Sequence, residues 1–354
     1  MEHQYRRILI VRTDRIGDVV LTLPVAKVLR ENSPQAHIAM LIRRYTTKLV
    51  EGNRCVNQIL YYDNGEQPVP FFTLASMLRI EHFDVVIHIY PRFRLALITW
   101  LAGIPVRVGT GYRWYSFLFN KKVYEHRKDA TKHELQYNLN LLKVLGCDVE
   151  DKMAAPSLEV KPDAGERVKG LLEHLGVPRN SKLVILHPGS GGSAREWSAG
   201  NFGLLGKQLS QLPAVKVLIT GGKGEQKKVD DVQAVAGSSA VALVDKLSLD
   251  EYAALASMSS LLIANSTGTI HIAAAVGTPV IGLYPHVAPM TVERWGPITD
   301  RKAIFAPKNK PLDCRKCIDQ CLPVCECMES IAVEEVFEAA KRFLADTTDS
   351  HLSP

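Results

Sequence analysis

No stretch of about 18 apolar residues free of charge occurs anywhere in the 354-residue chain, so no segment reads as a transmembrane helix. The start, "MEHQYRRILIV", has only a short apolar run and does not read as a signal peptide. Two nucleotide-binding signatures are missing. G-x-G-x-x-G does not follow the first strand-like run, and G-x-x-x-x-G-K-[ST] occurs nowhere, which demotes dehydrogenases and P-loop ATPases. The D-x-D triplet, a common way for two carboxylates to hold a divalent cation on a diphosphate, is missing too. Low-complexity tracts and short repeats are also lacking. A nucleotide bound here would have to be neutralised by amides and cations of the protein itself.

What is present is ordinary in bulk and uneven in distribution. The chain is 46% hydrophobic and 23% charged, the composition of a globular protein, and its length suits two domains better than one core. The formal net charge is +6, yet residues 1–150 hold 21 Lys and Arg against 14 Asp and Glu, and the remainder is nearly balanced. A positive first half suggests an anionic partner there (phosphorylated lipid, nucleic acid or a membrane surface) or simply a solubilising face. Seven cysteines without an export signal fit a reducing cytoplasm.

Short β-rich runs alternate with helical patterns throughout. They are "ILIV" (8–11), "HIAML" (37–41), "QILYY" (58–62), "DVVIHI" (84–89) and "VRVG" (106–109), then "LVILH" (183–187), "VKVLIT" (215–220), "AVALV" (240–244), "LLIAN" (261–265) and "PVIGLY" (279–284). Alternation of this kind predicts an α/β fold with doubly wound parallel sheets, whose ligands lie beyond the carboxyl ends of the strands. The halves meet in a polar linker at 148–166, giving domains 1–158 and 159–354, and a last helix is expected at about 333–345.

Four loops carry the chemistry. After the first run comes "RTDRIGD", with Arg12, Arg15 and Asp18; Asp18 could be a base or merely cap the helix, and Pro24 either kinks that helix or starts it anew. "PGSGGSAREWS" (188–198) sets Gly189 and Ser190 before Arg195 and Trp197; it suits a phosphate, or is a plain surface loop. "STGTIHIAAAVG" (266–277) opens a helix with Ser266 or Thr267 as cap, Gly268 and Thr269 in the first turn, and His271 facing either a ligand or the helix–sheet interface. In "GGKGE", Glu225 could accept from ribose hydroxyls or sit where a helix start favours acids. On one sheet edge the last three would form a single anion site.

"ILIVRTDRIGDVVLTLPVAKVLR", "ILHPGSGGSAREWSAGNF" and "LIANSTGTIHIAAAVGTPVIGLYPHVAPMTVERWGP" together resemble glycosyltransferase family 9, the ADP-heptose:lipopolysaccharide heptosyltransferases. The resemblance runs from Ile8 to the last helix. It implies the GT-B architecture, two Rossmann-like domains facing a cleft, with acceptor on the first and nucleotide sugar on the second. It also implies an inverting transfer without metal or other cofactor, from ADP-heptose to an anionic glycolipid such as a phosphorylated lipopolysaccharide core or lipid A. The partners are then that donor and acceptor, with peripheral contact at the cytoplasmic face of the inner membrane and no nucleic acid.

By resemblance Asp18 is the general base. A carboxylate is a weak base for a sugar hydroxyl, but the hydroxyl acidifies as it bonds to an oxocarbenium-like carbon, so the proton moves late. Gly189, Ser190, Arg195, Glu225, Ser266, Thr267, Gly268, Thr269 and His271 fall at donor positions. Ser266 stands where the family motif D-[ST]-G-x-x-H has Asp, which leaves donor preference open. Arg12, Arg15, Arg43, Arg92 and Arg113, with Arg44, Arg94 and Lys121 nearby, suit a phosphorylated acceptor. Other readings are a family member with a different nucleotide sugar or acceptor glycan, or a non-catalytic binding member. The run Cys314, Cys317, Cys321, Cys325 and Cys327 has spacing for zinc or an iron–sulfur cluster, and equally for free thiols or a disulfide. Cys55 and Cys147 are expected to be buried hydrophobes.

Overall fold

The computed structural model describes residues 5–149, 155–308 and 327–346, and the chain forms two compact units, Met1–Glu159 and Val160–Pro354. Cys314, Cys317, Cys321 and Cys325 lie outside the described residues.

The first unit holds β1 (Arg7–Val11), β2 (His37–Ile42), β3 (Gln58–Tyr61), β4 (Val85–His88), β5 (Val106–Thr110) and β6 (Lys121–Val123), in the order β3-β2-β1-β4-β5-β6. All its pairings are parallel. Ile8, Leu9, Ile10 and Val11 are fully buried, as a central strand covered on both faces requires, and so the run does not alternate with polar residues. The second unit holds β7 (Lys182–His187), β8 (Val215–Gly221), β9 (Val241–Val244), β10 (Leu261–Asn265), β11 (Val280–Leu283) and β12 (Lys302–Phe305), ordered β12-β11-β10-β7-β8-β9 and again parallel. Numbered within its own unit, each sheet has the Rossmann order 3-2-1-4-5-6. The order reverses between β1 and β4 in one unit and between β7 and β10 in the other. At those switch points loops diverge to opposite faces and leave a crevice.

Every strand read from the sequence is present, and two more are added. Both additions, β6 and β12, are edge strands that open on lysine. The helix opening the second unit, Pro162–His174, starts inside the segment read as linker, with its proline in the first turn where no N–H is needed. The helix Leu23–Asn32 starts afresh at Pro24 after the short helix Ile16–Val20, so the proline begins a helix rather than kinking one. The last helix, Val333–Asp346, packs into the core of the second unit. Trp197 belongs to that core: it is buried, and its indole N–H donates to the Ile331 carbonyl at 3.0 Å. Cys55 and Cys147 are half-buried rather than buried, Cys55 on a turn and Cys147 in irregular chain outside the strands and helices. No helix among the described residues is long and apolar enough to cross a membrane.

Candidate active site

In the first unit the switch-point loop after β1 is organised around one buried cation. The Arg12 amide extends the ladder by donating to Leu41 at 3.0 Å, which turns its side chain into the interior beside Tyr90, where it is 1% exposed. Its guanidinium meets three carboxylates. Nε lies 2.7 Å from Asp14, one Nη pairs with Asp18, and the other lies 3.4 Å from Glu134. Glu134 opens the helix Glu134–Asn140, whose start is capped by His133, and it also accepts from Arg127 at 2.6 Å. Burial alone would depress the Arg12 guanidinium, but Asp14, Asp18 and Glu134 together raise its pKa, so the charge is fixed. Asp14 is pushed up to about 7, first by burial and further by Asp18 and Glu134, with Arg12 pulling the other way.

Asp18 does not cap its helix. Arg15 occupies the N-cap position without a side-chain bond, and Asp18 lies in the first turn with its carboxylate turned to Arg12. Thr22 donates to the Asp18 carbonyl at 2.8 Å where the helix ends, and Asn138 donates to Leu21 at 3.1 Å, so that end is pinned by the helix Glu134–Asn140. The carboxylate remains 14% exposed, open enough for a hydroxyl to reach. Arg12 itself is spent on carboxylates. It holds Asp18 and presents no open guanidinium to an acceptor.

The other candidate arginines differ in their freedom. Arg15 is exposed. Arg43 pairs with Asp63 at 2.8 Å and stays partly exposed. Asp63 also accepts from the Arg44 and Gly65 amides, and these bonds outweigh its burial and lower its pKa. Arg92 lies 4.3 Å over the Tyr90 ring and Arg113 is exposed, both in loops at the carboxyl edge of the sheet. Arg94 donates to the Val69 carbonyl and Arg44 stacks on Tyr61, so both serve the fold.

In the second unit the loops after β7, β8 and β10 converge. Gly191 and Gly192 take left-handed φ values of 55° and 72°, which let the loop after β7 turn tightly. A Cβ on Gly189 would lie 1.9 Å from a Glu225 carboxylate oxygen, so any larger residue there would have to displace the Glu225 carboxylate. Glu225 accepts from the amides of Gly222 at 2.7 Å and Gly191 at 3.4 Å, tying the two loops together. Glu196 accepts from the Ser190 amide at 2.8 Å and hydroxyl at 2.7 Å and pairs with Lys228. Asn265, buried at the end of β10, accepts from the Trp197 amide at 2.9 Å and donates to the Pro188 carbonyl at 2.8 Å. Arg195 is half-buried in this loop.

The helix Gly268–Ala275 follows β10 with Thr267 at the cap position, but no side chain caps it. Its first-turn amides, around Gly268 and Thr269, carry the partial positive charge of a helix start. Ser266 is buried and its amide donates to Leu283 at 3.0 Å, while His271 is buried inside the unit. His187, at the end of β7, bonds Thr220 at 2.9 Å and lies 4.0 Å from Glu225; burial lowers its pKa and keeps it neutral.

Glu134, Arg127, Asn265, Glu196 and His187 belong to these sites and were not read from the sequence. Glu134 is separated from Arg12 by 122 positions and carries no local signature. Asn265 was visible as a polar residue ending an apolar run.

Two sheets of Rossmann order, one with a carboxylate held on a buried arginine and the other with glycine-rich loops gathered at a helix start, place the chain among α/β proteins of the doubly wound class. The model of glycosyltransferase family 9 (heptosyltransferase) matches residues 71–324. The chain therefore belongs to glycosyltransferase family 9, and it is a glycosyltransferase. It is 28% identical over 303 residues to a Haemophilus influenzae protein assigned only as a glycosyltransferase, covering 83% of this chain and 86% of that one. It is 26% identical over 277 residues to lipopolysaccharide heptosyltransferase 3 of Escherichia coli, covering 76% and 80%. Its fold matches that of the Escherichia coli ADP-heptose lipopolysaccharide heptosyltransferase II at a TM-score of 0.79 and 19% identity, over 97% and 99% of the two chains. The family match begins after β3, so the Asp18 loop is not part of it.

Proposed function

We propose that the chain transfers heptose from ADP-heptose to a phosphorylated lipopolysaccharide core or lipid A acceptor, with inversion and without a metal. The observation that carries this is Asp18, at the switch point of the first unit, its carboxylate fixed by the buried Arg12 and still open to a hydroxyl. The kinship with lipopolysaccharide heptosyltransferases supports the choice of sugar and acceptor. The first unit takes the acceptor, with Arg15, Arg43, Arg92 and Arg113 receiving its phosphates. The second takes the donor, with Arg195 and the amides at Gly268 and Thr269 neutralising the diphosphate and Glu225 receiving the ribose hydroxyls. The acceptor oxygen bonds to the anomeric carbon as the bond from that carbon to the diphosphate oxygen breaks. The hydroxyl proton passes to Asp18 and the leaving pair to ADP. Such an acceptor is lipid-borne, so the enzyme works in peripheral contact with the cytoplasmic face of the inner membrane.

A second reading keeps the chemistry and changes the donor, because Ser266 stands where an acidic side chain occurs in the motif. A thermal-shift screen of ADP, GDP, UDP and their sugars separates the two, since the true donor raises the melting temperature by mass action. Transfer assays on Asp18→Asn test the base. Donor binding should persist while turnover falls by roughly 10²- to 10⁴-fold, and near-normal turnover would remove Asp18 from the mechanism.

A further inference from the structure

Among the described residues every strongly exposed aromatic side chain lies in the first unit; the large hydrophobics exposed in the second are Leu175, Leu204 and Val235. The same half of the chain holds all of the positive excess. Phe72, at 77% exposed, and Ile80, at 75%, lie on the helix Phe71–Ile80, but the densest run of exposed rings lies elsewhere, in one segment that also carries basic side chains. Trp114 is 72% exposed, Phe117 70% and Tyr124 62%, all in the segment that follows β5 and leads through β6. Phe93, which opens the helix Phe93–Leu101, lies 4.6 Å from the Trp114 ring, and Tyr112 lies 5.6 Å from Tyr124. The rings thus form two exposed pairs, with exposed Phe117 in the same segment. Exposed Arg92, Arg113 and Lys121 lie among them.

We propose that this aromatic and basic edge is a docking face for an anionic lipid bilayer. Rings left in water at this density cost free energy unless something covers them. Trp and Tyr partition to the headgroup level, Phe inserts below it, and arginine and lysine meet lipid phosphate. Phe93 and Phe117 carry no polar handle, and Phe93 packs on Trp114 instead of facing it across a slot, which suits an apolar medium better than a sugar. The face is on the edge where the loop after β1 holds Asp18, so a docked bilayer would bring a lipid-borne acceptor to the base. The biological setting rests on the proposed acceptor, but lipid binding itself needs neither donor nor turnover.

The test is flotation of the full chain with vesicles of equal parts phosphatidylethanolamine and phosphatidylglycerol, beside vesicles of phosphatidylcholine alone. The wild type should float with the anionic vesicles only, and added salt should release it, by about fivefold in partition for each basic contact screened. W114A/F117A should lose at least about tenfold in partition and keep wild-type turnover on a deacylated, water-soluble acceptor. Quenching of the wild type's exposed tryptophans by acrylamide should fall when anionic vesicles are added, a reading that requires no variant. Failure of the wild type to float, or flotation of W114A/F117A like wild type, overturns the proposal. So does loss of turnover by that variant on the soluble acceptor without vesicles, which would make the edge a glycan platform. A vesicle-free dimer that W114A/F117A dissolves would make it a contact between copies of the chain. Lack of transfer to the soluble acceptor by the wild type would instead count against the proposed reaction and leave the lipid result standing.

Discussion

Replacing Arg12 with Met tests the centre of the first unit. The side chain is 1% exposed and meets Asp14 at 2.7 Å, Glu134 at 3.4 Å and Asp18. Met keeps most of the volume and removes the cation that these three carboxylates share, while Glu134 keeps its contact with Arg127. Removing one partner of a buried ion pair costs roughly 3–5 kcal/mol, because the remaining charge is left in a medium that cannot solvate it. With a urea slope of about 2 kcal/mol/M, that loss lowers the unfolding midpoint of the first unit by roughly 1.5–2.5 M. The defect should shrink on acidification. Asp14 already has a folded-state pKa raised above its unfolded one, and losing Arg12, which pulls it down, strengthens that, so the native form binds more protons and gains relative stability as pH falls. Arg12→Lys separates charge from geometry. It keeps the cation but has no planar fork to reach three partners, so it should cost less stability while lowering turnover by at least about tenfold through a loosened Asp18. Urea denaturation followed by circular dichroism, set beside steady-state transfer kinetics, reads both variants. Arg12→Met within about 1 kcal/mol of wild type, or Arg12→Lys at full turnover, would refute the idea that Arg12 both supports the unit and holds the base.

Asp14 makes a separate pH prediction: its folded pKa of about 7 exceeds the unfolded value near 4, so it binds extra proton in the native state between those values and stability falls as pH rises through that window. Asp14→Asn should flatten that stretch of the melting-temperature profile; an unchanged slope would exclude Asp14 as its source. Transfer activity should survive EDTA if Arg195 and a helix start meet the diphosphate as proposed; full loss restored by magnesium would contradict this, and restoration by zinc would turn attention to the cysteine run. Isothermal titration should show Arg195→Ala weakening ADP binding while Arg113→Glu leaves it alone and raises acceptor KM. The reverse pattern would invert the assignment of donor and acceptor to the units.

The sequence carried most of the scaffold. Ten strands were legible as apolar runs because a strand covered on both faces cannot alternate, and the helix boundary at Pro24 was marked by its proline. The edge strands β6 and β12 were not legible, since they are short, open on lysine and are paired on one side only. At the site, Asp18 and its glycine formed a local motif that reading along the chain can find. Glu134 could not be found that way, because what makes it part of the site is burial beside Arg12, which only the closed fold creates. The same holds for Ser266 and Thr267. Each is a good cap by type, yet the helix start has no side-chain cap, and its amides are left for another acceptor.

The contact between Arg12 and Glu134 also has a meaning during synthesis. Arg12 leaves the ribosome early, and the carboxylate that completes its surroundings follows more than a hundred residues later. Until the helix beginning at Glu134 docks, Arg12 has only Asp14 and Asp18 at hand, and the loop bearing the proposed base has no fixed seat. A nascent or prematurely ended chain that has already built β1 to β5 thus lacks the partner that completes the seat of the proposed base. Order in the Asp18 loop would then come only once the whole first unit has closed.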